Sequence, residues 1–239
     1  MIYLKEIRLD ETSIEDRNVY PLNIPALKNF KELEFKTPVT FLVGENGVGK
    51  STLIEAIAVA MNFNPEGGTI NYQFSTVNSH SNLFKHLITV RGAKRNKDGF
   101  FLRAESFYND ISYLESLGPD AFKSYGGESL HESSHGEGFM KLLINRCRGN
   151  SFFIFDEPEA ALSPASQIKM LSRMHQLVDE GSQFIISTHS PILLAYPGAT
   201  IYMLSNDGIS QTIYEATEHY MLMKYFLNNT EKFLSDLGF

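Results

Sequence analysis

The sequence predicts an α/β fold, a mixed central sheet flanked by helices, with an N-terminal antiparallel β flap and a short helical lobe. Three observations predict it. Gly44-Glu45-Asn46-Gly47-Val48-Gly49-Lys50-Ser51-Thr52 is a G-x-x-x-x-G-K-S stretch between an apolar run (Val39, Phe41, Leu42, Val43) and a helical pattern (Leu53, Ile54, Ile57, Ala58, Met61). Phe152 to Phe155 form a wholly apolar strand that ends in Asp156 and Glu157. Gln183 to Ser187 form another, ending in Thr188-His189-Ser190-Pro191. In doubly wound sheets, ligands bind at the C-terminal edge of the strands, where all three motifs stand.

The residue types have chemical reasons. Glycines allow left-handed backbone, so several N–H groups can point into one concave nest. The nest opens onto a helix N-terminus, where unpaired N–H groups and the helix dipole favour an anion. Glu45, Asn46, Gly47, Val48, Gly49, Lys50, Ser51 and Thr52 are therefore the candidate nucleotide-binding residues, with Lys50 on the β- and γ-phosphates. Ser51 and Asp156 supply oxygens for Mg²⁺, while Glu157 polarises or deprotonates the attacking water. His189 stands within reach of the γ-phosphate or that water. A nucleoside triphosphate and Mg²⁺ are the expected cofactors.

Taken in order, residues 1 to about 43 read as short strands and polar turns, with Tyr3, Tyr20 and Phe30 as candidates to stack on adenine or, more plainly, to pack. Leu87–Arg91 and Gly99–Arg103 read as a hairpin whose connection carries Lys94, Arg95 and Lys97, a solvated turn or a contact for phosphates. A helix is expected around Ser106–Leu117. Glu132 to Gly138 form a polar, glycine-containing segment ahead of a helix carrying Phe139, Leu142, Leu143 and Ile144. An amphipathic helix with Ile168, Met170, Leu171, Met174 and Leu177 at core positions follows Ser163. Ile201–Leu204 and Ile209–Tyr214 form a closing hairpin through Asn206-Asp207-Gly208, and the tail from Glu218 reads as one or two helices that cover the sheet or make a partner surface.

Composition sets limits. The 239 residues suit a single domain, 1–239, in which residues 104–148 form the helical lobe. A hydrophobic fraction of 43% permits a full core. The one cysteine, Cys147, excludes an internal disulfide and fits a cytoplasmic location. No run approaches the ~20 apolar residues of a membrane span, and Lys5, Glu6 and Arg8 interrupt any leader-like run. The net charge of -7 argues against a generally nucleic-acid-binding surface, while leaving room for a local basic groove.

With these motifs in order, residues 35 to 205 resemble the ABC-type ATPases, and most of all the small stand-alone bacterial ATPases related to the RecF and SMC branch. Gly44–Thr52 is similar to Walker A, in the Glu-Asn-Gly variant of that branch, and Phe152–Glu157 to Walker B. Ser134-His135-Gly136-Glu137 resembles the signature loop, with His135 and Glu137 where transporters carry Gly and Gln; Gly126-Gly127 is a rival placement. Ala160-Ala161-Leu162-Ser163 resembles the D-loop, with Ser163 in place of Asp, and His189 the switch histidine. The Q-loop falls on Glu105, a candidate third metal ligand, or on Gln73. The resemblance implies an ATP-dependent homodimer in which the loop from Ser134 to Glu137 caps the partner's ATP. It also implies a switch in nucleic-acid maintenance or defence, acting on nucleic acid or a partner protein. The alternative is the ATP-binding subunit of a membrane transporter, against which the stretch from Glu105 to Ser134 is short.

Overall fold

Strand residues alternate between two hydrophobic layers, and this alternation organises the molecule. In β3 (Val39–Val43), Val39, Phe41 and Val43 face one layer and Leu42 the other. In β7 (Ser151–Asp156), Phe153 and Phe155 join the first layer, Phe152 and Ile154 the second. β8 (Gln183–Ser187) divides in the same way, Phe184 and Ile186 against Ile185. A strand buried on both faces needs a helical layer on each side. The computed structural model describes residues 1–69, 81–103 and 135–239.

Among the described residues the central sheet has seven strands. Five run parallel: β9 (Thr200–Ser205), β3, β8, β7 and β6 (Asp98–Arg103). β10 (Gly208–Thr212) adds antiparallel to β9 at one edge, and β4 (Gly68–Thr69) to β6 at the other. A separate antiparallel sheet holds β2 (Glu32–Glu34), β1 (Leu4–Leu9) and β5 (Leu87–Arg91) in that order.

The second layer lies between the two sheets. It holds Leu4 and Ile7 of the flap, Ala26 and Leu27 of α1 (Pro25–Lys28), and Leu53, Ile54 and Ile57 of α2 (Lys50–Ala60). The first layer holds α3 (His135–Asn145), α4 (Pro164–Asp179) and α5 (Pro191–Leu194). α4 starts sharply because Ser163 Oγ accepts from Ser166 N and Pro164 occupies the first helical position. α6 (Glu218–Asn228) and α7 (Thr230–Asp236) follow the β9–β10 hairpin.

Several expectations need correction. β5 and β6 do not pair as a hairpin: β5 joins the flap beside β1, and β6 runs parallel to β7. The loop between them crosses from one sheet to the other, so proximity in sequence misled. The charged loop instead borders a cleft of about 410 Å³ with Tyr3 and Asn62. In α4, Met170, Met174 and Leu177 are buried, but Ile168 is 60% exposed, off the core stripe. Ile144 at the end of α3 is also exposed. The terminal helices bury no residue completely and expose Leu222, Tyr225 and Leu227, so they do not serve as core cover. Tyr3 and Phe30 are buried core residues, which leaves Tyr20, 59% exposed, as the accessible aromatic of the three.

Candidate active site

The glycine loop, residues 44–49, leaves β3 and turns into α2. Gly44 has φ +147°, and a Cβ there would lie 2.3 Å from Leu204 O. Gly49, with φ +106°, caps α2, and a Cβ would meet Ile24 Cγ2 at 2.9 Å. Only glycine suits either position. Lys50 is folded over the loop, Nζ donating to Gly44 O at 2.9 Å and to Glu45 O at 3.0 Å. Burial pushes its pKa down, opposed by the charges of Glu157, Asp156 and Glu159. A cleft of about 440 Å³ opens between Glu45–Val48 and the Ser205–Asp207 turn.

Parallel β3, β7 and β8 deliver the other groups to the same edge. Ser51 Oγ donates to Asp156 Oδ1 at 3.3 Å, and Ser187 Oγ also donates to that oxygen. Burial raises the Asp156 pKa, while the Ser187 bond and the nearby Arg103 charge pull it down. Arg103 Nε lies 4.0 Å from Asp156 Oδ2, and its other arm donates to Glu55 at 2.8 Å. Glu157 has left-handed backbone at φ +50°, an unusual state for a non-glycine residue that turns its side chain out of the strand. Its N–H donates to Ser187 O at 3.1 Å and to Ser187 Oγ at 3.2 Å.

His189 follows β8. Its Nε2 lies 3.4 Å from Glu157 Oε1, so the two candidate catalytic residues face each other. Its backbone N–H donates to Glu159 Oε1 from the turn after β7. Glu159 is buried, and burial raises its pKa. On its other side, His189 Nδ1 lies 2.8 Å from His219 Nε2 in α6. Sequence reasoning missed both Glu159 and His219. The only available signal for Glu159 was a third carboxylate two residues past Glu157; His219 had none.

The structure thus brings together Lys50, Ser51, Asp156, Glu157 and His189. His135, Gly136 and Glu137 open α3, where a Cβ on Gly136 would meet Ala161 O at 2.9 Å, so the start of α3 packs beside the turn that carries Ala161. Ser134, Glu105 and Gln73 lie outside the described residues, as do the helix expected at 106–117 and Gly126-Gly127.

A phosphate nest at the head of α2, two carboxylates ending β7 and a histidine ending β8, set in this mixed sheet, give the chain an α/β fold of the ABC-ATPase type. Comparison with known proteins agrees. Residues 22–130 match the family profile described as an AAA domain. Over 217 residues, 79% of the chain, it is 26% identical to the energy-coupling factor transporter ATP-binding protein EcfA2 of Methanospirillum hungatei, spanning 51% of that protein. It is 26% identical over 213 residues, 78% of the chain, to the cobalt import ATP-binding protein CbiO of Salmonella typhimurium, spanning 74% of it. The chain therefore spans about half the length of the first of these relatives and three quarters of the second. The fold is similar to that of cbiO1 from Clostridium perfringens, part of the ABC transporter complex cbiONQ. There the TM-score is 0.50 at 16% identity, covering 95% of this chain and 96% of that one. No helix among the described residues is long and apolar enough to cross a membrane.

Proposed function

We propose that this ATPase is the nucleotide-driven subunit of a membrane transport assembly, working as a pair of copies that closes on ATP and reopens after hydrolysis. The observation that favours transport is the alignment of more than three quarters of the chain with subunits named for transport or import. That departs from the reading the Glu45-Asn46-Gly47 loop suggests on its own.

In this reading the nest from Glu45 to Thr52 cradles the β- and γ-phosphates, and Lys50 exchanges its loop carbonyls for phosphate oxygens. Ser51 Oγ and Asp156 Oδ1, 3.3 Å apart, are an oxygen pair suited to Mg²⁺. When bound, the cation would neutralise charge on the β- and γ-phosphates. Glu157 accepts a proton from the attacking water, whose oxygen bonds to the γ-phosphorus as the bond to the β-γ bridging oxygen breaks; ADP and phosphate leave. His189 Nε2, facing Glu157, orients the water or the γ-phosphate. The stretch from Ser134 to Glu137 caps the nucleotide of the second copy, where a helix N-terminus favours an anion.

A second reading, the switch acting on nucleic acid, is favoured by the cleft of about 410 Å³ lined by Arg91, Lys94, Arg95 and Lys97. Two measurements separate them: ATPase rate with single- and double-stranded DNA, and ATP-dependent sedimentation of the chain with membranes of its own host. Stimulation by DNA without sedimentation sinks the transport reading; sedimentation with indifference to DNA sinks the other.

A further inference from the structure

Behind His189, on the side away from Glu157, stands a second histidine. His219 occupies the second position of α6, whose start is fixed by Thr217 Oγ1 accepting from Tyr220 N at 3.4 Å. The two rings meet edge to face, centroids 4.9 Å apart and planes at 63°, with His219 Nε2 2.8 Å from His189 Nδ1. Both remaining ring nitrogens, His189 Nε2 and His219 Nδ1, are shielded from solvent and lack a hydrogen-bond partner among the described residues. Pro191, Leu222 and Phe226 line an apolar cleft of about 280 Å³ beside the pair.

One proton lies between the two facing nitrogens, and the surroundings decide its owner. If His189 donated from Nδ1, its Nε2 would turn a lone pair toward the Glu157 carboxylate 3.4 Å away, which is repulsive. If His219 donates from Nε2, His189 carries its proton on Nε2 and turns an N–H toward that carboxylate. The leftover His219 Nδ1 is then a lone pair without a partner rather than a buried unpaired N–H. Burial, and next the neighbouring His189, push the His219 pKa below the usual imidazole value, and its place at a helix N-terminus works in the same direction. His219 therefore has one proton to place, and placing it on Nε2 makes the bond to His189 Nδ1 and leaves His219 with no unpaired N–H.

We propose that His219 is a positioning residue for ATP hydrolysis: it fixes the tautomer and ring orientation of His189 so that Nε2–H points at Glu157 and the γ-phosphate. The proposal rests on the reading of His189 as a residue of the hydrolytic site. It also makes α6 part of the catalytic apparatus, because movement of that helix would release the His189 ring.

The test uses the full chain and compares wild type with His189→Ala, His219→Ala, His219→Gln and the double alanine variant. Thermal melts establish that each folds. Expected are a loss in kcat of about tenfold to hundredfold for His219→Ala, an ATP KM within about twofold of wild type, and recovery of most of kcat in His219→Gln, whose amide reaches the Nε2 position. The double variant is no slower than His189→Ala, because His219 acts only through His189. Nitrogen-15 NMR of the wild-type rings shows the His189 proton on Nε2, and in His219→Ala a share moves to Nδ1. If His189→Ala hydrolyses ATP normally, the reading of His189 fails and this proposal with it. If His189→Ala is slow but His219→Ala is normal, only the proposal fails. Additive losses in the double variant, or a wild-type His189 protonated on Nδ1, also overturn it, and the latter needs no variant to fold.

Discussion

Glu157 combines left-handed backbone, a carboxylate turned out of the strand and a histidine nitrogen 3.4 Å away, a combination that suits the proposed role of proton acceptor. Glu157→Gln keeps the shape and removes the base, so kcat should fall by about 10²–10⁴ while ATP still binds; a fluorescent ATP analogue measures retention, and unchanged turnover contradicts the role. Cys147 is the opposite case: burial pushes its thiol up to about 12, so it is protonated and shielded at neutral pH. A thiol reagent should therefore leave the native chain unlabelled and react fully in denaturant. The sequence made Lys50, Ser51, Asp156, Glu157 and His189 legible because each stands in a local motif whose strand or helix places it at one sheet edge. Glu159 and His219 were not legible, since each meets His189 across 30 residues of chain and through packing that no spacing encodes.

Between elements, polar side chains complete the joints that strands leave open. Gln183, fully buried in β8, accepts from Tyr3 N at 2.6 Å and Leu4 N at 2.9 Å and donates to Leu4 O at 2.9 Å. It ties the flap to the central sheet as a strand would. Gln183→Met conserves volume but orphans those three backbone groups, at about 1–3 kcal/mol for each one that stays unsatisfied; urea unfolding should show a lower midpoint at unchanged slope. Asp98 in β6 does the same for α3, holding the Arg146 guanidinium just past that helix with both carboxylate oxygens. Burial alone would raise the Asp98 pKa, but Arg146 and the Gly99 N–H outweigh it and hold the carboxyl below its usual value. A depressed folded-state pKa contributes stability above the unfolded carboxylate value of about 4 and loses it as pH falls through the folded value. The wild type should thus exceed Asp98→Asn in melting temperature at pH 7, with the gap closing on acidification. The β5–β6 misreading belongs to this scale: two β-rich runs joined by a polar loop look identical whether they pair with each other or with separate sheets.

At the scale of the whole molecule, the glycine loop after β3, the carboxylates ending β7 and the histidine after β8 belong to one sheet, so nucleotide bound there as proposed would stabilise the entire fold rather than a loop. The linkage is RT ln(1 + [ATP]/Kd), about 2.7 kcal/mol at a hundredfold excess over Kd. If a second copy supplies the stretch from Ser134 to Glu137, a further stabilisation appears that depends on protein concentration, because two chains must meet. These two contributions can be separated. In Glu157→Gln with Mg²⁺ and saturating ATP, hydrolysis does not reopen the pair, and the melting temperature should climb as the protein is concentrated. In Lys50→Ala, which lacks the charge on the phosphates, it should neither rise with ATP nor depend on concentration. A Glu157→Gln melt that rises with ATP but stays flat across protein concentration would retain the nucleotide site and reject the paired one.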